Sequence, residues 1–134
     1  MKIELINFAA LRQRLVELPE DLRHQAAAIV RRTAEEAQRE IVRAYPRGRT
    51  GHLKAGVRLT TSASKVTILS AAPHAHLFEY GTHGRKTRTG HNRGVMPVAP
   101  ESQRMVPIVI KARRQMAQRI AALITDTQMF QVLP

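Results

Sequence analysis

Apolar residues recur every three or four positions along two long stretches of the chain, and this spacing predicts two amphipathic helices. The first helix is expected over residues 20–44, because Pro19 suits a helix start and the acids after it suit the positive end of the helix dipole. The last helix is expected over residues 101–126. The apolar positions are Leu22, Ala26, Ile29, Val30, Ala34, Ala37 and Ile41 in the first helix, and Met105, Val109, Ala112, Met116, Ile120, Leu123 and Ile124 in the last.

The first residues of the chain show a different, shorter pattern. Residues 2–6 alternate in polarity, which is typical of a short strand. Asn7 is a suitable N-cap, and apolar residues at helical spacing follow it, so a short helix is predicted over residues 8–17.

Between the two long helices, β-branched residues predict a β-hairpin. One strand is expected to open at Leu53 and run to residue 61, and a second is expected over residues 65–70 after a serine-rich turn. A short helix is then expected within residues 71–80, after Pro73.

This order of elements predicts an α+β fold in one domain over residues 1–126. A small antiparallel sheet with a β-hairpin would pack against the long N-terminal helix and the C-terminal helix. Residues 81–94 contain four glycines but no acid and no large apolar residue, which predicts a flexible basic arm inserted in the domain. Residues 127–134 are expected to form a flexible or contact-forming tail.

Charge narrows the classes of partner. The 22 Lys and Arg residues outnumber the 10 acids, which gives a net charge of +12 and attracts polyanions such as nucleic acid. Aromatic residues make up 4% of the chain and Trp is absent, so contact with nucleic acid would be directed at phosphates rather than at bases. The chain has no cysteine, and we expect neither a signal peptide nor a membrane span.

The cations concentrate in two glycine-bearing loops, residues 47–54 and residues 81–94. Each loop has two possible interpretations. It can be a surface that contacts phosphates or a protein partner, or it can be a solvated turn that keeps the protein soluble. The candidate DNA- or partner-contacting residues are Arg47, Arg49, Lys54, Arg85, Lys86, Arg88 and Arg93.

Signals for catalysis are weak, and the sequence predicts no enzyme, no cofactor and no metal site. A nucleophile elbow and a phosphate-binding loop are both missing from the sequence. Glu79 has no paired acid, so a structural role that anchors the arm through a backbone or arginine contact is favoured. His74 and His76 form a His-x-His pair, but on a helix such side chains point apart.

Several short motifs occur in an order that resembles a known family. NFAALRQRL (residues 7–15) precedes the long helix, which ends in YPRGRTGHLK (residues 45–54). APHAHLFEYGT (residues 72–82) follows the predicted hairpin, and PVAP (residues 97–100) precedes the last helix. This pattern resembles the tail-component proteins of tailed phages typified by gene product 10 of phage HK97, also called the tail-completion or neck family.

The resemblance implies a structural virion protein of a tailed phage or prophage. Members assemble as homo-oligomeric rings at the head–tail junction, next to connector and tail-tube or tail-terminator proteins, and DNA passes through the ring. The resemblance also implies that the protein is located in the virion neck or tail, and in the host cytoplasm during assembly. The residues that carry the family motifs, with an expected structural role, are Pro46, Thr50, Gly51, Leu53, Glu79, Gly81, Thr82, Pro97 and Pro100.

Two other hypotheses stay open from the residues themselves. The chain could be a stand-alone, sequence-nonspecific DNA-binding protein that uses the two basic loops. It could instead be a small metal-dependent nuclease that uses Glu79 and the histidines.

Overall fold

The computed structural model describes residues 2–4, 19–62, 65–95, 97–98 and 103–131. The predicted helix over residues 8–17 lies outside these residues. The described strands are β1 (Lys2–Glu4), β2 (Val57–Ser62) and β3 (Lys65–Ser70), and the described helices are α1 (Glu20–Ala44), α2 (His52–Ala55), α3 (Ala75–Tyr80) and α4 (Met105–Gln131).

The fold is α+β, as predicted, with a small antiparallel sheet against two long helices. The described strands form one sheet in the order β1-β3-β2, with β3 in the middle. Ile68 of β3 is opposite Ile3 of β1 on one side and opposite Leu59 of β2 on the other. Alternate residues of β3, beginning with Val66, are buried, so one face of the strand contributes to the core.

Helix α1 begins and ends where its sequence dictates. Pro19 precedes it, and Glu20 and Asp21 occupy the first turn, where negative charge is favourable. Tyr45 leaves the helix with an extended ψ of 138°, because the following residue, Pro46, disfavours helical geometry before it. Five of the seven predicted apolar positions are buried between these ends, Ile41 completely, while Ile29 and Val30 are half-buried.

Helices α1 and α4 pack against each other in antiparallel directions. Lys111 Nζ of α4 lies 3.0 Å from Glu40 Oε1, and Arg119, two turns later, donates to Thr33 Oγ1 at 2.9 Å. Successive partners therefore move backwards along α1 as α4 advances. The core between the helices and the sheet includes Ala34, Ala37, Ile41, Tyr45, Val57, Val66, Ile68, Met105, Ile108, Val109 and Ala112.

Three predicted boundaries were wrong. Leu53 does not open a strand but lies in α2, the short turn of helix between Gly51 and Gly56. Helix α4 begins at Met105, not at residue 101, because its start is held by a tertiary contact described below. It continues to Gln131, beyond the predicted end at residue 126.

Replacing Glu36 is expected to change how the melting temperature depends on pH. The Arg119 guanidinium, at 2.9 Å, and then Arg32 hold the pKa of Glu36 below its ordinary 4.5, against an opposing effect of burial. A lowered carboxyl pKa adds stability above that ordinary value, and the contribution is lost as pH falls through the lowered value. The difference in melting temperature between wild type and Glu36→Gln should therefore be present at neutral pH and disappear in acid.

Glu35→Gln is the matched control for this experiment. The Glu35 carboxylate lies 3.7 Å from Arg31 on the same helix, in an exposed ion pair of the kind that contributes little. A melting-temperature difference for Glu36→Gln that stayed constant from neutral pH to pH well below 4.5 would contradict the assignment to the Arg119 contact.

Candidate functional site

The connection from α1 to the sheet exposes two of the predicted cationic residues. Arg47 and Arg49 are both exposed, and Lys54 is half-buried in α2. Gly51, with φ of 68°, reverses the chain immediately before α2. Leu53 is half-buried and packs against the core, while Arg47 and Arg49 lie on the surface.

The Glu79 carboxylate caps the N-terminus of α4 from a distant part of the chain. Glu79 is 0% exposed. Its Oε1 accepts a hydrogen bond from the Met105 N–H at 2.6 Å, and its Oε2 accepts from the N–H groups of Arg104 at 3.1 Å and Val106 at 3.3 Å. The first N–H groups of a helix lack intrahelical partners, and the helix dipole favours an anion there. The next residue, Pro107, has no N–H to satisfy.

Tyr45 completes the attachment of Glu79. The Tyr45 hydroxyl donates to Glu79 Oε1 at 2.9 Å, and the ring is 1% exposed. Burial and then the negative charge of Glu79 raise the pKa of Tyr45 far above its ordinary value, while a hydrogen bond with Ser70 opposes the rise. Tyr45 therefore remains a protonated donor, and one carboxylate ties together the end of α1, the end of α3 and the start of α4.

Gly81 is required where α3 ends. Its φ of 73° and ψ of −174° fall in a region that essentially only glycine adopts. A Cβ at this position would overlap the carbonyl oxygen of Pro97 and lie 2.5 Å from the Cα of Val98. The backbone of residues 97–98 thus passes directly against Gly81, and the neighbouring Thr82 is buried.

Residues 85–93, here called the basic hairpin, form an antiparallel pair of segments. The Arg93 N–H donates to the Arg85 carbonyl and the Thr87 N–H donates to the His91 carbonyl, both at 2.8 Å. A β-bridge joins Lys86 to Asn92 between these bonds.

Side chains and a tight turn reinforce the basic hairpin. The Gly90 N–H donates to the Thr87 carbonyl at 2.9 Å, and the His91 N–H donates to Thr87 Oγ1 at 3.0 Å. The Gly94 N–H donates to Asn92 Oδ1 at 3.0 Å. Sequence analysis predicted a flexible arm here and missed this hydrogen-bonded framework.

Two close approaches lie between the basic hairpin and the body of the protein. A Cβ on Gly84 would lie 4.0 Å from Val95 Cγ2, and Gly81 lies against Pro97. Gly81 lies four residues before Arg85 and Pro97 lies four residues after Arg93, which agrees with the antiparallel register of the basic hairpin. The described residues 81–95 and 97–98, here called the ribbon, therefore carry the basic hairpin at one end and approach each other closely at Gly81, beside Glu79, at the other.

The predicted motif residues fall into two groups in space. Glu79, Gly81 and Pro97 come together at the base of the ribbon. Thr50, Gly51 and Leu53 lie in the connection from α1 to β2, which also includes the exposed Pro46. Pro100 lies outside the described residues.

Sequence reasoning missed the partners of Glu79. These are Tyr45 and the backbone of residues 104–106. Two signals could have found them: an acid inside the apolar run Leu77-Phe78-Glu79-Tyr80, and a helix that begins at Met105 after Arg104, which is not a capping residue.

The histidine hypothesis gains no support from the geometry. His74 precedes α3 and His76 lies within it, and both are exposed. Within residues 2–4, 19–62, 65–95, 97–98 and 103–131, no three His, Cys, Asp or Glu residues are placed to hold a metal ion. Among the helices described in these same ranges, none is both long and apolar enough to cross a membrane.

Comparison with known families decides the relationship. Residues 9–81, more than half of the 134-residue chain, match the model of the family described as "Bacteriophage HK97-gp10, putative tail-component". The chain belongs to this family. Searches of curated proteins and of solved structures give no match to it.

Membership in the HK97-gp10 tail-component family makes the chain a phage tail protein, a structural part of the virion that contacts other phage structural proteins. The matched region runs from before α1 through Glu79 to Gly81. It stops where the ribbon begins, so the basic hairpin and α4 lie beyond the family match.

Proposed function

We propose that this tail protein forms a homo-oligomeric neck or tail-completion ring at the head–tail junction, through which DNA passes. One observation carries the proposal beyond family membership. Residues 45–100 contain nine Lys and Arg residues and a single acid, and that acid, Glu79, is fully buried. This part of the chain therefore presents positive charge alone, which suits a component that lies close to DNA.

The proposed ring has neighbours on both sides. Adjacent connector proteins and tail-tube or tail-terminator proteins would contact it, and it would occupy the virion after assembly in the host cytoplasm. The antiparallel α1–α4 pair, braced by the Lys111–Glu40 and Arg119–Glu36 ion pairs, supplies a rigid body for such contacts. Arg47, Arg49 and Lys54 are proposed to contact DNA or a neighbouring protein.

The proposed role is structural and not catalytic. Glu79, the acid nearest the basic hairpin, is completely covered and accepts hydrogen bonds from Tyr45 and from the start of α4. A carboxylate held in this way supports the fold and does not face a substrate. These contacts favour the structural role over the nuclease hypothesis.

A mass-resolved oligomer count tests the ring. We expect the purified protein, alone or with assembled heads or tails, to form a closed homo-oligomer or to be incorporated into particles. Full-length protein that stays monomeric and is never incorporated would contradict the neck proposal. Deletion of residues 83–93 in the same assay shows whether the basic hairpin is needed for assembly.

The charge of +12 also favours a second candidate function, that of a stand-alone DNA-binding protein without sequence preference. The two functions differ in stoichiometry and location. A monomer that binds any duplex with steep salt dependence, and that is absent from purified particles, would favour the second function.

A further inference from the structure

We propose that the basic hairpin is a finger that contacts the phosphates of duplex DNA without reading the base sequence. The inference deepens the proposed function and rests on it, because the duplex in question is the DNA that passes through the ring. It assigns the DNA contact to one structural element, which lies beyond the part of the chain that matches the family.

The positive charges of the basic hairpin lie close together, and binding of an external anion would offset their repulsion. Arg85 and Arg93 are joined by a backbone hydrogen bond across the hairpin, with Lys86 beside them and Arg88 in the turn. All four side chains are exposed. Like charges placed opposite each other on paired strands are destabilising, and the segment 81–94 contains no acid to offset them. A chain of phosphates would remove this repulsion.

The hydrogen bonds of the basic hairpin keep these charges on a defined framework. Thr87 Oγ1 is paired with Thr89 Oγ1 at 2.9 Å and accepts from the His91 N–H, while Asn92 Oδ1 accepts from the Gly94 N–H. These polar side chains brace the turn, and the cations are the groups that project from it. Cations on a braced turn suit phosphate contact, and the basic hairpin contains no Phe, Tyr or Trp that could stack on bases.

Four of the ten acids of this chain are poor partners for the basic hairpin of a second copy. Glu35, Glu36 and Glu40 each lie within 4.0 Å of a cation of their own chain, with separations of 3.7, 2.9 and 3.0 Å. Glu79 is buried. With 22 Lys and Arg residues and 10 acids, a second copy also offers far fewer negative groups than DNA does. DNA, with its dense negative charge, is therefore favoured over a second copy as the occupant.

Charge removal on the basic hairpin, compared with equal charge removal elsewhere, tests the proposal. The hairpin variant replaces four exposed cations with glutamine: Arg85→Gln, Lys86→Gln, Arg88→Gln and Arg93→Gln. The control variant makes the same change at four exposed cations on the long helices: Arg23→Gln, Arg39→Gln, Arg43→Gln and Arg114→Gln. Both variants have the same net charge, and their melting temperatures report whether they remain folded.

Binding to a fluorescently labelled random-sequence duplex is measured as a function of salt concentration. For four lost phosphate contacts, the slope of log K against log salt should become shallower by about 3 to 4 in the hairpin variant. It should change by less than about 1 in the control variant. Replacing the three arginines with lysine, with Lys86 kept, should restore the wild-type slope, because charge and not side-chain shape makes the contact.

Equal slope changes in the hairpin and control variants would overturn the proposal, since net charge alone would then explain the binding. Unchanged DNA binding by the hairpin variant with loss of particle incorporation would also overturn it, in favour of an acidic protein partner. Either result leaves the ring intact as long as the wild-type protein is found in the neck. Wild-type protein that is absent from particles refutes the proposed function, whatever the slopes show.

Discussion

Replacing Glu79 with alanine is expected to reduce the free energy of unfolding by about 4 kcal/mol. The change leaves the N–H groups of residues 104–106 and the Tyr45 hydroxyl without the carboxylate to which they donate in a buried site. It also removes the negative charge from the positive end of the α4 dipole. For a domain of this size, the melting temperature should fall by about 15 °C.

Two further variants separate the cap from a general loss of volume or charge. Glu79→Gln keeps the size but directs an amide group at N–H donors, so it should still cost about 2 kcal/mol. Glu35→Ala removes an exposed carboxylate that lies in a helical ion pair, and it should cost no more than about 0.5 kcal/mol. Thermal and urea unfolding measure all three variants. Equal stabilities of Glu79→Ala and Glu35→Ala would refute the capping role.

Replacing Gly81 with alanine is expected to cost about 3 kcal/mol or more. Two penalties combine at this residue, because its φ of 73° strains any side chain and the new Cβ would overlap the Pro97 carbonyl. The overlap is with backbone, which cannot move away as a flexible side chain would. The melting temperature should therefore fall by about 10 °C, and the base of the ribbon should open.

Two other glycines of the same segment separate these two penalties. Gly90 has a φ of 84° but open space around its Cα, so Gly90→Ala should show conformational strain alone, about 1 kcal/mol. A Cβ on Gly84 would meet only Val95 Cγ2 at 4.0 Å, and Gly84→Ala should be close to neutral. Unfolding measurements should rank the losses as Gly81, Gly90, Gly84. A loss at Gly81 no greater than at Gly90 would contradict the close approach to Pro97.

The effects at Glu79 and Gly81 bear on function because both residues fix the base of the ribbon that carries the basic hairpin. Glu79 secures the start of α4, and Gly81 allows residues 97–98 to pass against the end of α3. Loosening either contact would keep the cations of the basic hairpin but would free the segment that carries them from the body of the protein. The proposed DNA binding and particle assembly would then weaken without the loss of any charge.

Much of the fold was predictable because its signals are local. Helical spacing of apolar residues located α1, and β-branched runs located the β2–β3 pair. Pro46 gave the end of α1, since proline restricts the residue before it. Local signals gave the wrong element at Leu53. Its apolar side chain suits a strand as well as a helix, and the residue lies in the short helix between Gly51 and Gly56.

The sequence by itself determined the α+β class, the long helices, the excess of cations and the family motifs, since each depends on composition or on neighbours along the chain. Only the tertiary structure decided what the motif residues do. Glu79 meets its hydrogen-bond donors 25 to 34 residues away along the chain, and Gly81 meets Pro97 across the whole basic hairpin. The spacing of residues along a sequence does not predict such contacts, because they form only when the packed core brings distant backbone segments together.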